Sequence, residues 1–210
     1  MRCRTICSLT PTLQKMTTDV LEFDVEDHEY RLNGVSAPGV TRVLGSQFPL
    51  TAPPDRIEFA RKMGRAIHTA CELYDRGTLD FDSVDVKVVP YLEAWIKFRE
   101  QTQCTIIEVE KQVYHKQLRY CGTLDRIIEL NDKRGVLDLK RPILTARVGV
   151  QTSGYAYAYN SMRPDENVTA RWGLQLRADR TYRLREYKDA SDFTIFLASL
   201  NLYNWRLKHE

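Results

Sequence analysis

Three stretches with the composition of β-strands follow one another in the middle of the chain, and this feature limits the possible folds more than any other. Polar turns separate them, and they run over 105–114, 118–130 and 134–139. Helical patterns lie on both sides, at about 55–74, 90–101, 147–160 and 190–207. Two further strand candidates lie at 169–177 and 182–186. We therefore predict an α/β (α+β) fold, with a central mixed β-sheet flanked by helices.

The N-terminal part of the chain contains short elements with strong turn and cap signals. Loose alternation of apolar and polar residues over 21–32 predicts paired strands, and Asn33-Gly34 predicts a tight turn after them. Asp55 has the side chain of a good N-cap for the helix at 55–74, and Gly77 is expected to end that helix.

The composition is that of a folded protein outside membranes. Of the 210 residues, 43% are hydrophobic and 28% are charged, which excludes an intrinsically disordered chain. No apolar run approaches the roughly 18 residues that a membrane span needs, so we expect no membrane partner and a cytoplasmic location. We expect 1–18 to be a disordered N-terminal extension and 19–210 to form the single domain. Five cysteines without paired spacing are expected to be free thiols.

An acid and a lysine lie two residues apart near the end of the third strand candidate. Because side chains alternate along a strand, Asp138 and Lys140 share one face while Leu137 and Leu139 share the other. A buried carboxylate needs a partner, and a divalent metal ion is one, since carboxylates are ligands suited to magnesium or manganese. The alternative is a solvent-facing strand that carries an ion pair between Asp138 and Lys140.

Two helical patterns bring further polar residues onto common faces. Gly64, His68 and Glu72 follow one another at intervals of four, so they share one face of their helix. His68 has the side chain of a neutral imidazole ligand. Gln151 and Tyr155 are also four apart on the later helix. From these residues alone, a packed or exposed His68 and a purely structural Tyr155 remain alternatives.

With two more elements, these residues form a pattern that resembles the PD-(D/E)XK nuclease superfamily and, within it, the RecB-like exonuclease branch. In the family's order, the elements are Gly64-x-x-x-His68-x-x-x-Glu72, Glu110, Gly122-x-x-Asp125, Asp138-x-Lys140 and Gln151-x-x-x-Tyr155. The segment 30–34 and a short helix predicted at 40–44 are similar to a segment of phage-encoded members. The resemblance implies a restriction-endonuclease-like domain.

The resemblance also implies roles for the matching residues. The implied catalytic residues are Asp125, Asp138, Lys140 and Glu110. The implied metal ligands are His68, Asp125, Asp138 and the backbone carbonyl of Leu139. Lys140 would orient the attacking water and stabilise the charge that develops on the phosphate. Glu108 is the alternative to Glu110 if the strand register differs by two residues.

A second group of residues is implied to support the site or to contact DNA. Gln151 would contact DNA or brace the site, and Tyr155 would pack behind it or touch the strand. Glu72 would orient His68 or bind a water on the metal.

The local charge is consistent with a substrate that carries phosphates. The segment 111–148 contains nine Lys and Arg residues and four Asp and Glu residues, a net charge of +5, whereas the whole chain carries +3. Basic side chains near an acidic site can neutralise DNA phosphates and release counterions. Arg141 and Arg147, which follow the third strand candidate, are the expected backbone contacts.

The resemblance therefore implies a metal-dependent DNA exonuclease of phage or bacterial DNA recombination and repair. It would use one or two Mg²⁺ or Mn²⁺ ions and act on linear duplex or single-stranded ends in the bacterial cytoplasm. A single-strand annealing recombinase is an expected partner. No cysteine follows Cys121 and no nucleotide-binding loop is present, so we expect neither an iron–sulfur cluster nor ATP use. The alternatives are a structure-specific or restriction-type endonuclease and a catalytically inactive DNA-binding module.

Overall fold

The structure is a computed structural model that describes residues 19–24, 29–49, 51–141 and 143–210. The predicted N-terminal extension at 1–18 lies outside these residues. The elements in chain order are β1 (Leu21–Asp24), β2 (Glu29–Leu32), β3 (Val35–Ala37), α1 (Val40–Gln47), α2 (Pro54–Asp75), α3 (Val89–Thr102), β4 (Thr105–His115), β5 (Tyr120–Leu130), β6 (Lys133–Lys140), α4 (Ala146–Met162), β7 (Ala170–Leu176), β8 (Tyr182–Glu186) and α5 (Asp192–His209).

A five-stranded mixed sheet forms the centre of the fold, in the order β4-β5-β6-β7-β8. Neighbouring strands are antiparallel except for β6 and β7, which run parallel. Asn131 and Asp132 form the turn between β5 and β6 with φ angles of 50° and 59°, the left-handed conformation that a two-residue hairpin requires. The predicted α/β fold with a central mixed sheet flanked by helices is confirmed.

A separate three-stranded antiparallel sheet, β1-β2-β3, precedes the first helix. The predicted strand pair is confirmed as β1 with β2. Asn33 and Gly34 have φ angles of 54° and 74° and turn the chain from β2 into β3, a strand that the sequence pattern did not predict.

The helices cover the two faces of the large sheet. On one face, α2 and α3 pack against the sheet through a cluster that includes Trp95, Phe98 and Leu137. On the other face, α1, α4 and α5 pack through a second cluster that includes Tyr159 and Phe196. Because β6 is the middle strand, both of its faces lie inside the protein. Among the described residues, no helix is both long and apolar enough to cross a bilayer.

The ends of α2 differ in how well the sequence predicted them. Gly77, with φ of 70°, follows the helix and donates its backbone N–H to the carbonyl of Tyr74, so its predicted role as a terminator is confirmed. The predicted N-cap at Asp55 is wrong, because α2 begins at Pro54 with Pro53 in the cap position. Proline at the first helical position has no N–H to satisfy, so the helix begins without a side-chain cap.

The cysteines of the described residues agree with the sequence prediction. Cys71, Cys104 and Cys121 are buried free thiols, as expected, whereas the other two cysteines lie outside the described residues.

Gly135 in β6 provides a test of how tightly the central sheet is packed. A Cβ at this position would lie 2.5 Å from the Trp172 ring and closer still to the carbonyl oxygen of Ala170. We expect Gly135→Ala to lower the free energy of unfolding by about 1–3 kcal/mol, measured by urea denaturation. The matched control is Gly45→Ala in α1, where nothing lies within 4 Å of the added methyl group and helix propensity favours alanine. Equal denaturation midpoints for the two variants would contradict the packing seen at Gly135.

Candidate active site

Asp138 is a carboxylate inside the protein, on the middle strand of the sheet. Its side chain is 1% exposed, so the alternative of a solvent-facing strand is wrong for this residue. Lys140 Nζ lies 2.7 Å from Asp138 Oδ2, and Gln151 Nε2 donates a hydrogen bond to Oδ1 at 3.1 Å. Burial raises the pKa of Asp138 to about 6, although the Lys140 ammonium opposes the shift. Leu137 and Leu139 point into the cluster beneath α2 and α3, which confirms the predicted alternation.

Asp125 lies where β5 and β6 separate. The last residues paired between these strands at this end are Arg126 and Leu137. Beyond them, Asp125 Oδ2 accepts a hydrogen bond from the backbone N–H of Leu139 at 2.6 Å, so the carboxylate satisfies an amide that the neighbouring strand no longer reaches. Burial raises the pKa of Asp125, but the His68 ring, Lys140 and the Leu139 amide outweigh it and hold the pKa at about 2.

His68 projects from α2 onto the ends of both strands. Its Nδ1 lies 3.4 Å from Asp125 Oδ1, and its Nε2 lies 3.1 Å from the carbonyl oxygen of Leu139. A carbonyl oxygen only accepts hydrogen bonds, so Nε2 carries the hydrogen in this contact. Burial lowers the pKa of His68, but the charge of Asp125 more than compensates and raises it above its ordinary value. Ile67, Ala70 and Cys71, the buried residues of α2, anchor this part of the helix.

Glu110 reaches the same point from β4, through an unusual backbone conformation. Its φ is 47°, which is rare for a residue other than glycine and is a feature of functional sites. Its Oε1 accepts a hydrogen bond from Arg126 Nη1 at 3.1 Å. Burial and the nearby charge of Asp125 raise the pKa of Glu110 to about 7.

The side chains of His68, Glu110 and Asp125 offer ligand atoms that all lie within 4.8 Å of one another. Two carboxylates this close repel each other, and this repulsion adds to burial in raising the pKa of Glu110. A divalent cation between them removes it, so the donors fit a hard metal ion. The predicted ligands His68 and Asp125 belong to this group, whereas the predicted ligand Asp138 lies in the adjoining pair with Lys140.

An open cavity of about 430 Å³ connects the two groups. His68, Glu110, Asp125 and Lys140 line it, together with side chains that carry hydroxyl groups, Tyr30, Thr41, Thr69, Thr123 and Tyr155. The hydroxyl groups of Tyr30 and Thr123 are hydrogen-bonded to each other at 2.9 Å. A cavity of this size holds a small molecule or one unit of a polymer.

Gln151 and Tyr155 support the cavity from α4. Besides its bond to Asp138, Gln151 Nε2 donates to the Tyr155 hydroxyl at 3.4 Å. The Tyr155 ring is 3% exposed and lies against Gly122, where a Cβ would come within 2.6 Å of the ring. These contacts favour the bracing role for both residues over the role of touching DNA.

Three other residues named from the sequence lie at the edge of the candidate site or outside it. Glu72 lines the cavity, but it accepts a hydrogen bond from Arg76 Nε at 3.0 Å instead of orienting His68. Arg147 donates to the carbonyl oxygen of Phe48 at 3.2 Å, at the end of α1. Arg141 borders a small neighbouring cleft, not the main cavity.

Glu108, the alternative to Glu110, forms an ion pair with Lys111 at 3.0 Å. The structure thus brings Glu110 and not Glu108 to the candidate site.

The local charge surplus over 111–148 is partly neutralised by acids outside that segment. Ion pairs join Lys116 to Asp19, Lys133 to Glu186 and Arg134 to Glu166, at 3.0, 3.4 and 3.7 Å. The segment therefore contributes less positive surface than its sequence suggests.

The sequence pattern did not single out Arg126 and Asp75 as parts of the site. The Arg126 side chain is fully buried, with Nε donating to Asp75 Oδ2 at 2.7 Å and Nη1 donating to the backbone carbonyl of Asp125 at 2.6 Å. Asp75, at the end of α2, also accepts bonds from Arg99 and from the Trp95 ring nitrogen. The sequence feature that could have indicated this network is Arg126 directly before the apolar pair Ile127-Ile128, because a charge buried with such a pair requires a partner.

Comparison with solved structures finds similar chains among nucleases. The chain is similar to the crystal structure of an alkaline exonuclease (LHK-Exo) from Laribacter hongkongensis, with a TM-score of 0.34 and 15% identity, covering 82% of this chain and 91% of that one. The structure of LHK-Exo in complex with dAMP gives the same TM-score and coverage, with 17% identity. No protein-family model matches the chain, and no curated protein sequence matches it.

Proposed function

We propose that this protein is a metal-dependent nuclease that hydrolyses phosphodiester bonds in DNA. The observation that carries the proposal is the meeting of His68, Glu110 and Asp125 beside the Lys140–Asp138 pair in one open cavity. Three donors suited to a cation and a lysine suited to an anion are groups that metal-assisted cleavage of a phosphodiester can use.

The group formed by His68, Glu110 and Asp125 would hold a divalent cation, Mg²⁺ or Mn²⁺. The Leu139 carbonyl, now bonded to the His68 ring, lies at the same point and is a further candidate ligand. A bound cation supplies Lewis-acid stabilisation of the negative charge that develops on the phosphate. Arg126 keeps the Glu110 carboxylate directed at the cation site through its hydrogen bond.

Lys140 is the residue that acts on the phosphate or on the attacking water. Burial lowers its pKa, but the charges of Asp138 and Asp125 raise it above its ordinary value, so the ammonium keeps its proton. Asp138 fixes the ammonium by an ion pair at 2.7 Å, and Gln151 fixes Asp138 in turn. The lysine therefore presents hydrogen-bond donors to the cavity with little loss of side-chain freedom on binding.

The finer proposal is an exonuclease that acts on free DNA ends. A cavity of about 430 Å³ has room for one unit of a single strand, as a free end would present it. A recombinase partner and a phage setting stay predictions from the resemblance.

We expect end-labelled linear DNA to be degraded when Mg²⁺ or Mn²⁺ is present, and a covalently closed circle to remain intact. Asp125→Asn and Asp138→Asn should each lower kcat by at least about 10²-fold, because the first removes a charge from the cation site and the second removes the charge that holds Lys140 in place. The control is Asp132→Asn, in the exposed turn between β5 and β6, which should retain activity. Nicking of the closed circle would contradict the exonuclease proposal and indicate an endonuclease. If the wild-type protein cleaves none of these substrates, the nuclease proposal is wrong and a catalytically inactive DNA-binding module is favoured.

The raised pKa values of Glu110 and Asp138 predict how stability changes with pH. A carboxyl whose folded pKa exceeds its unfolded value stabilises the folded state most at low pH, and this contribution is lost as the pH rises through the folded pKa. The folded pKa values are about 6 for Asp138 and about 7 for Glu110. The metal-free protein should therefore lose stability as the pH rises from about 4 to about 7. Divalent cations should raise the Tm more at pH 8 than at pH 5, measured by calorimetry.

Glu110→Gln separates this effect from general acid denaturation. At pH 8 the variant should have a higher metal-free Tm than the wild type, and added Mg²⁺ or Mn²⁺ should raise its Tm less. Glu108→Gln on the same strand is the matched control and should keep the wild-type response to metal. Identical metal responses in the two variants would remove Glu110 from the cation site.

A further inference from the structure

The first half of α2 contains no fully buried residue and is largely exposed. The buried residues of this helix are Ile67, Ala70 and Cys71, all in its second half. The residues before them include the exposed bases Arg61, Lys62 and Arg65. We call these three residues the basic row.

The basic row is continuous with the cavity. Arg61, Arg65 and Thr69 are four residues apart, so they follow one another along one face of the helix, and Arg65 and Thr69 line the cavity. With a rise of about 1.5 Å per residue, Arg61 lies roughly 6 Å further out than Arg65 along the axis. His68 lies one residue before Thr69, so one helix carries both the basic row and a donor of the cation site.

The charge of the basic row is available to an outside partner. Glu58 is its acidic neighbour, 3.7 Å from Lys62 Nζ and 3.9 Å from Arg65 Nη2, and all three side chains are at least half exposed. Exposed ion pairs of this length contribute little energy. Within the described part of the chain, no ion pair involves Arg61.

The cavity itself needs positive charge at its mouth. Glu72, Glu110 and Asp125 line it, and carboxylates repel an approaching phosphate. Bases over 111–148 are partly neutralised or buried, as Lys116 and Arg126 illustrate. The basic row therefore supplies positive charge where a strand would enter.

We propose that the basic row binds the phosphodiester backbone of a single DNA strand and leads the strand end into the cavity. This inference rests on the proposed function and adds the path of its substrate. Each arginine neutralises a phosphate without reading a base, so binding is independent of sequence and weakens with salt.

The test measures binding of a fluorescein-labelled single-stranded oligonucleotide by anisotropy at several salt concentrations. Asp138→Asn in Mg²⁺ serves as the non-cleaving parent, and the wild type with a chelator provides a second measurement that needs no variant at the site. Arg61→Gln/Arg65→Gln should weaken binding about tenfold at low salt and reduce the slope of log K against log[salt] by about 1–2. Glu58→Gln should tighten binding about twofold.

Arg183→Gln is the matched control, because Arg183 is an exposed base on the edge strand β8 and does not line the cavity. It should change neither affinity nor slope. Equal affinities for Arg61→Gln/Arg65→Gln and its parent, or no binding by either parent, would overturn the role of the basic row.

Kinetics distinguish failure of this inference from failure of the proposed function. With wild-type cleavage established, Arg61→Gln/Arg65→Gln should raise KM about tenfold and leave kcat within about twofold, because the residues bind the strand outside the reacting centre. An unchanged KM with active wild type overturns the inference alone. An inactive wild type overturns the nuclease proposal, while the anisotropy result still decides whether the basic row binds DNA.

Discussion

The burial of Asp138 is the constraint around which the candidate site is arranged. The residue lies on the middle strand of a sheet covered on both faces, so its carboxylate has no access to bulk water. Burial of an isolated charge is energetically unfavourable. Two side chains compensate for it at Asp138, Lys140 from the same strand and Gln151 from α4. The lysine that stabilises Asp138 is therefore also held rigidly at the cavity wall, which ties the stability of the strand to the position of a reactive group.

Arg126 has a similar function for the other half of the site. Its guanidinium joins the end of α2, through Asp75, to Glu110 on β4 and to the backbone of Asp125. Its position over the Trp95 ring, 5.6 Å from the centroid, adds a contact with α3. Three elements that are distant in sequence thereby share one buried cation. This ionic network and apolar packing together hold His68 on α2 near the two carboxylates.

Local rules of the sequence account for much of the site, and contacts between distant segments account for the remainder. The two-residue period of β6 separates Asp138 and Lys140 from the leucines, and the four-residue spacing on α2 selects the face that carries His68. The choice of Glu110 over Glu108 was beyond such rules, because a bulge near Ile106 shifts the register of β4 and Glu110 adopts a positive φ. The pairing of Asp75 with Arg126 links positions 51 residues apart, and no local pattern contains it.

The distribution of charge follows from the same arrangement. A site with several acids for a cation repels phosphate unless positive charge lies nearby. A base packed among those acids is held in an ion pair with one of them, as Lys140 is with Asp138. A helix with an exposed first half avoids this conflict, because its exposed bases remain in solvent while its buried second half holds His68 at the cation site. The continuous backbone of α2 holds these two charge environments at a fixed spacing. A strand bound by the outer turns would therefore reach the cavity in a defined position relative to the candidate catalytic residues.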